Sequence, residues 1–296
     1  MSDKPATNHD ALVNVVETAT ALLERVEHLL PHVPQSVAWE EHVAFRWRRR
    51  QGRGWLEGVR HPHTLRLQDL LCIDRQKDRI QRNTRQFVQT RPANNVLLWG
   101  SRGTGKSSLI KALLNEYATQ GLRLIEVDKH DLLDLPDIVD LVWDRPERFM
   151  LFCDDLSFEA EDPSYKALKA LLDGSISAAP NNLLIYATSN RRHLLPEYFD
   201  ENLEARNIGG EIHHGEAVEE KISLSDRFGL WISFYPFRQE EFLDIVHYWL
   251  QQHGVDTFDT REIGHAALQW ALARGSRSGR TAYQFARDWA GRSHLE

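Results

Sequence analysis

Asn95-Val-Leu-Leu-Trp-Gly-Ser-Arg-Gly-Thr-Gly-Lys-Ser-Ser108 is the stretch from which the fold can be read. An apolar run leads into three glycines, then Lys106-Ser107, then a helix-like stretch over residues 107–120. The spacing is GxxxxGK[ST], and a strand before it with a helix after it is the context in which that pattern cradles phosphate. Gly100, Gly103 and Gly105 let the backbone wrap an anion where a Cβ would collide. Ser101, Arg102, Thr104 and Ser108 complete the loop. Its backbone N–H groups and the helix N-terminus supply donors and positive dipole. Lys106 is placed to reach the β- and γ-phosphates, and the Ser107 hydroxyl to ligate Mg²⁺. ATP with Mg²⁺ is the expected occupant.

Outward from this loop, apolar runs recur at residues 122–127, 149–153, 183–187 and 230–234. Each is short and most are nearly unbroken, as in parallel strands covered on both faces. Helical patterns separate them, for example over residues 164–172. The alternation predicts an α/β class with a parallel five-stranded sheet core. After residue 235 there is no strand-like run; three helices are expected over residues 239–253, 261–274 and 281–290, with Gly254 and Gly275 as stops. Before residue 66, an apolar stripe over residues 10–30 predicts a helix packed on its own protein, followed by the basic, turn-rich tract Arg46-Trp-Arg-Arg-Arg50. The expected organisation is therefore a helical and basic region at 1–65, a nucleotide-binding core at 66–235 and a helical lid at 236–296.

Polar residues at the ends of these runs suggest chemistry. Phe149-Met-Leu-Phe-Cys-Asp154-Asp155 ends in two acids. Asp154 is expected to hold Mg²⁺, and Asp155 to polarise the attacking water. A whole strand, residues 122–127, separates this motif from the loop. Tyr186-Ala-Thr188-Ser189-Asn190 offers Asn190 to orient that water or touch the γ-phosphate. Arg227, in Ser225-Asp-Arg227-Phe228-Gly229, and Arg280, opening the last helix, are cations that could reach a nucleotide. An arginine supplied by a neighbouring subunit can raise phosphoryl transfer by ~10³–10⁵.

Composition narrows the classes. The chain has 296 residues, 36 Lys and Arg against 43 Asp and Glu, and a formal charge of -7. A mildly acidic chain is not a bulk nucleic-acid coat. Mean hydropathy is -0.49 and no apolar run approaches a membrane span of ~18–20 residues. The polar start lacks a signal-peptide layout, and only Cys72 and Cys153 occur, neither in a CxxC set, so a reducing cytoplasm is expected.

The order of these motifs resembles the AAA+ ATPases over about residues 66–290, with Asn190 in the place of sensor 1, Arg227 of the arginine finger and Arg280 of sensor 2. More closely, Leu70-Leu-Cys-Ile-Asp-Arg-Gln-Lys77, Asn83-Thr84, the loop itself, Phe152-Cys-Asp-Asp-Leu-Ser-Phe158, Tyr186-Ala-Thr-Ser-Asn-Arg-Arg-His193 and Glu219-Glu-Lys-Ile-Ser-Leu-Ser-Asp-Arg-Phe-Gly229 are similar to a bacterial AAA+ family known mainly as a domain of unknown function. The resemblance implies a homo-oligomeric ring or filament, or an assembly factor similar to the helicase loaders, acting on a protein or nucleic-acid client. Two features depart from it. The second acid is Asp155 where Glu is usual, with Glu159 as a fallback base, and residues 128–136 are acidic where an unfoldase would carry an aromatic pore loop.

Three readings remain in play: an ATP-hydrolysing AAA+ machine, a nucleotide-gated binding module, and a nucleic-acid loader using Arg46–Arg50 with Arg53 and Trp55. For that tract, a basic edge packed on the acidic remainder of the protein is the plainer account. A small-molecule kinase suits neither the inserted strand nor the arginine order. His213-His214 and His61-Pro-His63 lack a third metal ligand at suitable spacing. Cys153, inside an apolar strand, is expected to be buried and inert.

Overall fold

The computed structural model describes residues 13, 15, 16, 18–20, 22, 37–50, 52–158, 162–173, 180–192, 194, 206–208, 211–213, 224–255 and 260–293. The strands are β1 (Ala44–Arg50), β2 (Arg53–Gly58), β3 (Val96–Gly100), β4 (Leu122–Glu126), β5 (Arg148–Cys153), β6 (Leu183–Ser189), β7 (Arg206–Ile208), β8 (Glu211–His213) and β9 (Leu230–Phe234). The helices are α1 (Asp74–Val88), α2 (Lys106–Tyr117), α3 (Leu135–Val142), α4 (Pro163–Asp173), α5 (Gln239–Gln252), α6 (Thr260–Ala273) and α7 (Gly279–Ser293). The main sheet runs β2-β1-β4-β5-β6-β3-β9, and β7 and β8 form a separate antiparallel pair.

All five strands read from the apolar runs are present, and every contact among them is parallel. Their unbroken apolar character has a direct cause. Val96 and Leu98 face one core cluster with α1, α2, α5 and α7, while Leu97 faces a second with α3 and α4. Met150 and Phe152 alternate in the same way with Phe149, Leu151 and Cys153. Both faces of the sheet are therefore dry, as a parallel sheet requires.

The sheet has seven strands, not five. The basic tract is not an irregular turn segment but strand β1, parallel to β4 on one side and antiparallel to β2 on the other. Phe45 and Trp47 point inward at 0% and 2% exposure, while Arg46 and Arg48 fall on the other face. Arg50 pairs with Arg53, and Gly52 between them takes φ 77. Residues 44–58 thus extend the α/β sheet rather than forming part of a helical region. Of the expected stripe, Val15, Val16, Ala19 and Leu22 are helical and exposed; the other stripe positions lie outside the described residues.

The spatial order sharpens the inserted-strand reading. In sequence β4 separates the loop strand β3 from the acid-bearing strand β5; in the sheet the strand between them is β6. The ends of β3, β6 and β5 are thereby neighbours. Helices α5, α6 and α7 follow β9, and Gly254 (φ 80) and Gly275 (φ 65) end α5 and α6 in the left-handed conformation expected of helix stops. No helix among the described residues is long and apolar enough to cross a membrane.

Candidate functional site

The glycine loop is held by close backbone approaches. A Cβ on Gly100 (φ 123) would sit 2.0 Å from the Phe234 carbonyl oxygen, and Ser101 N–H donates to that same oxygen at 3.0 Å. Strand β9 therefore fixes where the loop begins. A Cβ on Gly103 (φ 73) would lie 2.8 Å from Ser278 Oγ, just before α7. The Thr104 hydroxyl donates back to Ser101 O at 2.8 Å, closing the turn. Gly105 (φ 100) caps α2 in the left-handed region, so the helix N-terminus opens toward the loop.

Lys106 is 7% exposed. Its Nζ donates to Gly100 O and Ser101 O, both at 2.8 Å, and to Asn190 Oδ1 at 3.2 Å. Burial pushes its pKa down, opposed by the Asp155 and Asp154 carboxylates nearby. A buried cation held only by neutral acceptors favours the approach of an anion.

The acids sit one step beyond the sheet. Cys153 pairs with Ala187, so Asp154 and Asp155 emerge beside Thr188. Asp154 Oδ1 accepts from Ser107 Oγ at 2.6 Å and from Thr188 Oγ1 at 2.5 Å. Two hydroxyls and a carboxylate converging at the loop suit Mg²⁺, which takes hard oxygen ligands and uses substrate phosphates and water for the rest. Among the described residues no group of three or more His, Cys, Asp or Glu gathers to form an all-protein metal cage.

Asp155 has φ 52, left-handed backbone in a non-glycine residue. Its N–H donates to Thr188 Oγ1 at 2.9 Å, its Oδ1 accepts from Asn190 Nδ2, and its Oδ2 lies 3.8 Å from Arg102 Nη2. Asp and Asn tolerate this backbone better than longer side chains do, which gives a physical reason for Asp where Glu is usual. Thr188 has no role in any motif of the sequence, yet its single hydroxyl ties both acids together. The available signal was its position at the same strand end as Asn190.

A cavity of about 900 Å³ joins these groups and is lined by apolar as well as polar residues. Arg280 lines it, and Arg280 N–H donates to Gly103 O at 3.3 Å, so α7 touches the loop through its backbone. Leu70, Ile73, Ile245, Trp249 and Tyr283 supply apolar and aromatic lining, with Ile73 and Leu70 close to Gly105. Tyr248 OH donates to Asp69 Oδ1 at 2.7 Å, tying α5 to the segment before α1. Burial raises the Asp69 carboxyl, but hydrogen bonds from Tyr248 and Arg66 outweigh it and leave the pKa low; burial also pushes the Tyr248 hydroxyl up to about 12.

Other expected residues fall elsewhere. Arg227 does not line the cavity and engages Asp173. Glu159 and His214 lie outside the described residues. Burial pushes the Cys153 thiol strongly up, consistent with an inert side chain. Arg46, Arg48 and Arg49 pair with Glu126, Glu57 and Asp134 at 2.8, 2.8 and 3.5 Å.

The parallel strand order and the glycine loop together make a P-loop α/β fold. The chain belongs to the family described as protein of unknown function (DUF815), which matches residues 40–293. Among solved structures, the AAA domain of FIGL-1 in complex with ADP is similar at 16% identity and a TM-score of 0.51, over 77% of this chain and 73% of that one. A point mutant of Thermotoga maritima RuvB aligns at 14% identity and a TM-score of 0.47, over 75% of this chain and 64% of that one. A second RuvB point mutant gives 13% and 0.46, over 75% and 63%. This chain thus spans less than two thirds of either RuvB chain. At these identities the likeness is one of fold, and the FIGL-1 domain carries it. No curated protein matches the sequence.

Proposed function

We propose that this chain binds ATP with Mg²⁺ in the glycine loop and hydrolyses it as a cytoplasmic homo-oligomer, coupling turnover to movement of a macromolecular client. The observation that carries the reading is the meeting of Ser107 and Asp154 at 2.6 Å beside Lys106, from elements far apart in sequence. In this reading Lys106 exchanges its carbonyl partners for β- and γ-phosphate oxygens. Ser107 and Asp154 hold the metal, which when bound neutralises charge between those phosphates. Asp155 takes a proton from water as the water oxygen bonds to the γ-phosphorus and the bridging bond to ADP breaks. Asn190 orients that water. Arg280 brings α5–α7 into contact with the nucleotide as a lid, and Arg227 acts on the site of a neighbouring subunit. Activity, metal dependence and assembly are tested together by phosphate release against protein concentration, with and without Mg²⁺. Turnover per chain should rise with concentration; turnover already maximal at dilution removes the trans arginine.

A second reading, a nucleotide-gated binding module with little hydrolysis, is favoured by one observation: each oxygen of Asp155 already faces a protein partner, Asn190 or Arg102. Comparing turnover of wild type, Asp155→Glu and Asp155→Asn separates the two. Equal turnover in wild type and Asp155→Asn removes Asp155 as the base. The loader reading has less support, because three of the arginines it needs, Arg46, Arg48 and Arg49, are paired with acids of the same chain.

A further inference from the structure

Arg102 lies within the glycine loop, and its guanidinium reaches toward the strand-end acid Asp155. Its side chain is 78% exposed, lines the cavity, and places Nη2 3.8 Å from Asp155 Oδ2. Lys106, from the same loop, reaches Asn190 Oδ1, and Asn190 reaches the other oxygen of Asp155. Two loop cations thus bracket one amide and one carboxylate in a closed chain, Lys106–Asn190–Asp155–Arg102. Both cations lie where a phosphate cradled by the loop would compete for them. The two differ in what holds them. Lys106 is buried with two main-chain carbonyls, whereas Arg102 is mostly exposed and holds its carboxylate at the long limit of an ion pair. An exposed pair of this kind is weak. A phosphate offers a guanidinium the bidentate geometry that it prefers.

We propose that Arg102 distinguishes a triphosphate from a diphosphate by exchanging Asp155 for the terminal phosphate. When that phosphate takes the guanidinium, Asp155 Oδ2 is released toward water; when the phosphate departs, Arg102 returns to Asp155. The proposal rests on the nucleotide reading above and deepens it. It makes Arg102 a reader of nucleotide state acting within one chain, distinct from the trans role given to Arg227.

The test is calorimetric titration of the full chain, with Mg²⁺, using ADP and a non-hydrolysable β,γ-imido triphosphate. Arg102→Ala should weaken the triphosphate about 10-fold and ADP less than about 2-fold, the scale of one charge-assisted contact in a solvated site. Arg102→Lys should retain most of the discrimination, and Asp155→Asn should bind the triphosphate more tightly because its competitor is gone. Arg102 is exposed, so its removal leaves no packing defect. Equal weakening of both nucleotides by Arg102→Ala, or no change in either, overturns the exchange while leaving the nucleotide reading intact. Failure of the wild-type chain to bind either nucleotide overturns that reading itself, and this one with it.

Discussion

The hairpin β1–β2 and the loop between β3 and α2 both gather positive charge on the same sheet, and they hold it differently. On the hairpin, Arg46, Arg48 and Arg49 each face a carboxylate of this chain. Trp47 adds a hydrogen bond from Nε1 to Asp134 Oδ2 at 3.0 Å. In the loop, Lys106 is held by main-chain carbonyls and an amide. Those three arginines are matched within the fold, so an anion approaching them would have to displace a full negative charge. Lys106 has only dipoles to give up, and the second loop cation, Arg102, holds Asp155 at 3.8 Å, the long limit of an ion pair. Density of positive charge along a sequence therefore says little about binding; the nature of each cation's present partner says more.

The most direct way to break this contrast is Lys106→Ala. If the loop cation is the one that matters, phosphate release should fall by roughly 10²–10³, with the circular dichroism spectrum unchanged. The effect on stability should run the other way. Because burial holds the pKa of Lys106 down, its charge is a cost to the folded state below that lowered value and is relieved only as pH rises through it. Near neutral pH, Lys106→Met should therefore melt no lower than wild type. A large drop in melting temperature would make the lysine structural instead.

Next in size is the loop's own geometry. Gly103→Ala places a Cβ 2.8 Å from Ser278 Oγ at φ 73. Strain of about 1–3 kcal/mol is expected. Nucleotide affinity should fall with it, since α7 and the loop must then part. Unchanged affinity and melting temperature would show that the contact with α7 is dispensable. On the hairpin side, charge reversal at Arg46 should cost only about 0.5–1 kcal/mol, because both partners are partly exposed. Turnover should stay as in wild type. A large loss of turnover or of salt-dependent single-stranded DNA binding would return the hairpin to the functional surface.

The smallest test lies on α5. Tyr248→Phe removes the hydrogen bond to Asp69, about 1 kcal/mol. Asp69 has a lowered pKa in the fold, so its contribution is present above the ordinary carboxylate range and lost as pH falls through the lowered value. The variant should differ most from wild type in urea unfolding near neutral pH and converge with it in acid. A gap that persists in strong acid would assign the loss to packing.

The five parallel strands were legible because burial on both faces leaves an unbroken apolar run. The acids, Asn190 and the loop were legible because they stand at the ends of those runs. Strand β1 was harder to see. Phe45 and Trp47 alternate with Arg46 and Arg48, the period of a half-buried strand, and Gly52 supplies the turn. The eye follows the arginines, of which Arg46, Arg48 and Arg49 meet Glu126, Glu57 and Asp134 in the fold, pairings that no local pattern announces. Thr188 was hidden for a similar reason: a hydroxyl has no signature until the strand order sets β6 against β5. The joining of Asn83, Thr84 and the buried Tyr186 hydroxyl at 2.9–3.2 Å likewise depends on a helix and a strand meeting.

The twist of the main chain at Asp155 restricts which mutations that position can accept. Its N–H is pinned by a threonine hydroxyl while its torsion favours short polar residues, so the routes open to mutation pass through asparagine and glycine, neither of which carries a carboxyl group. A saturation library at this codon should return well-folded chains mainly with those two substitutions and few with valine or isoleucine. The chemistry of this corner is thus easily silenced without harming the scaffold.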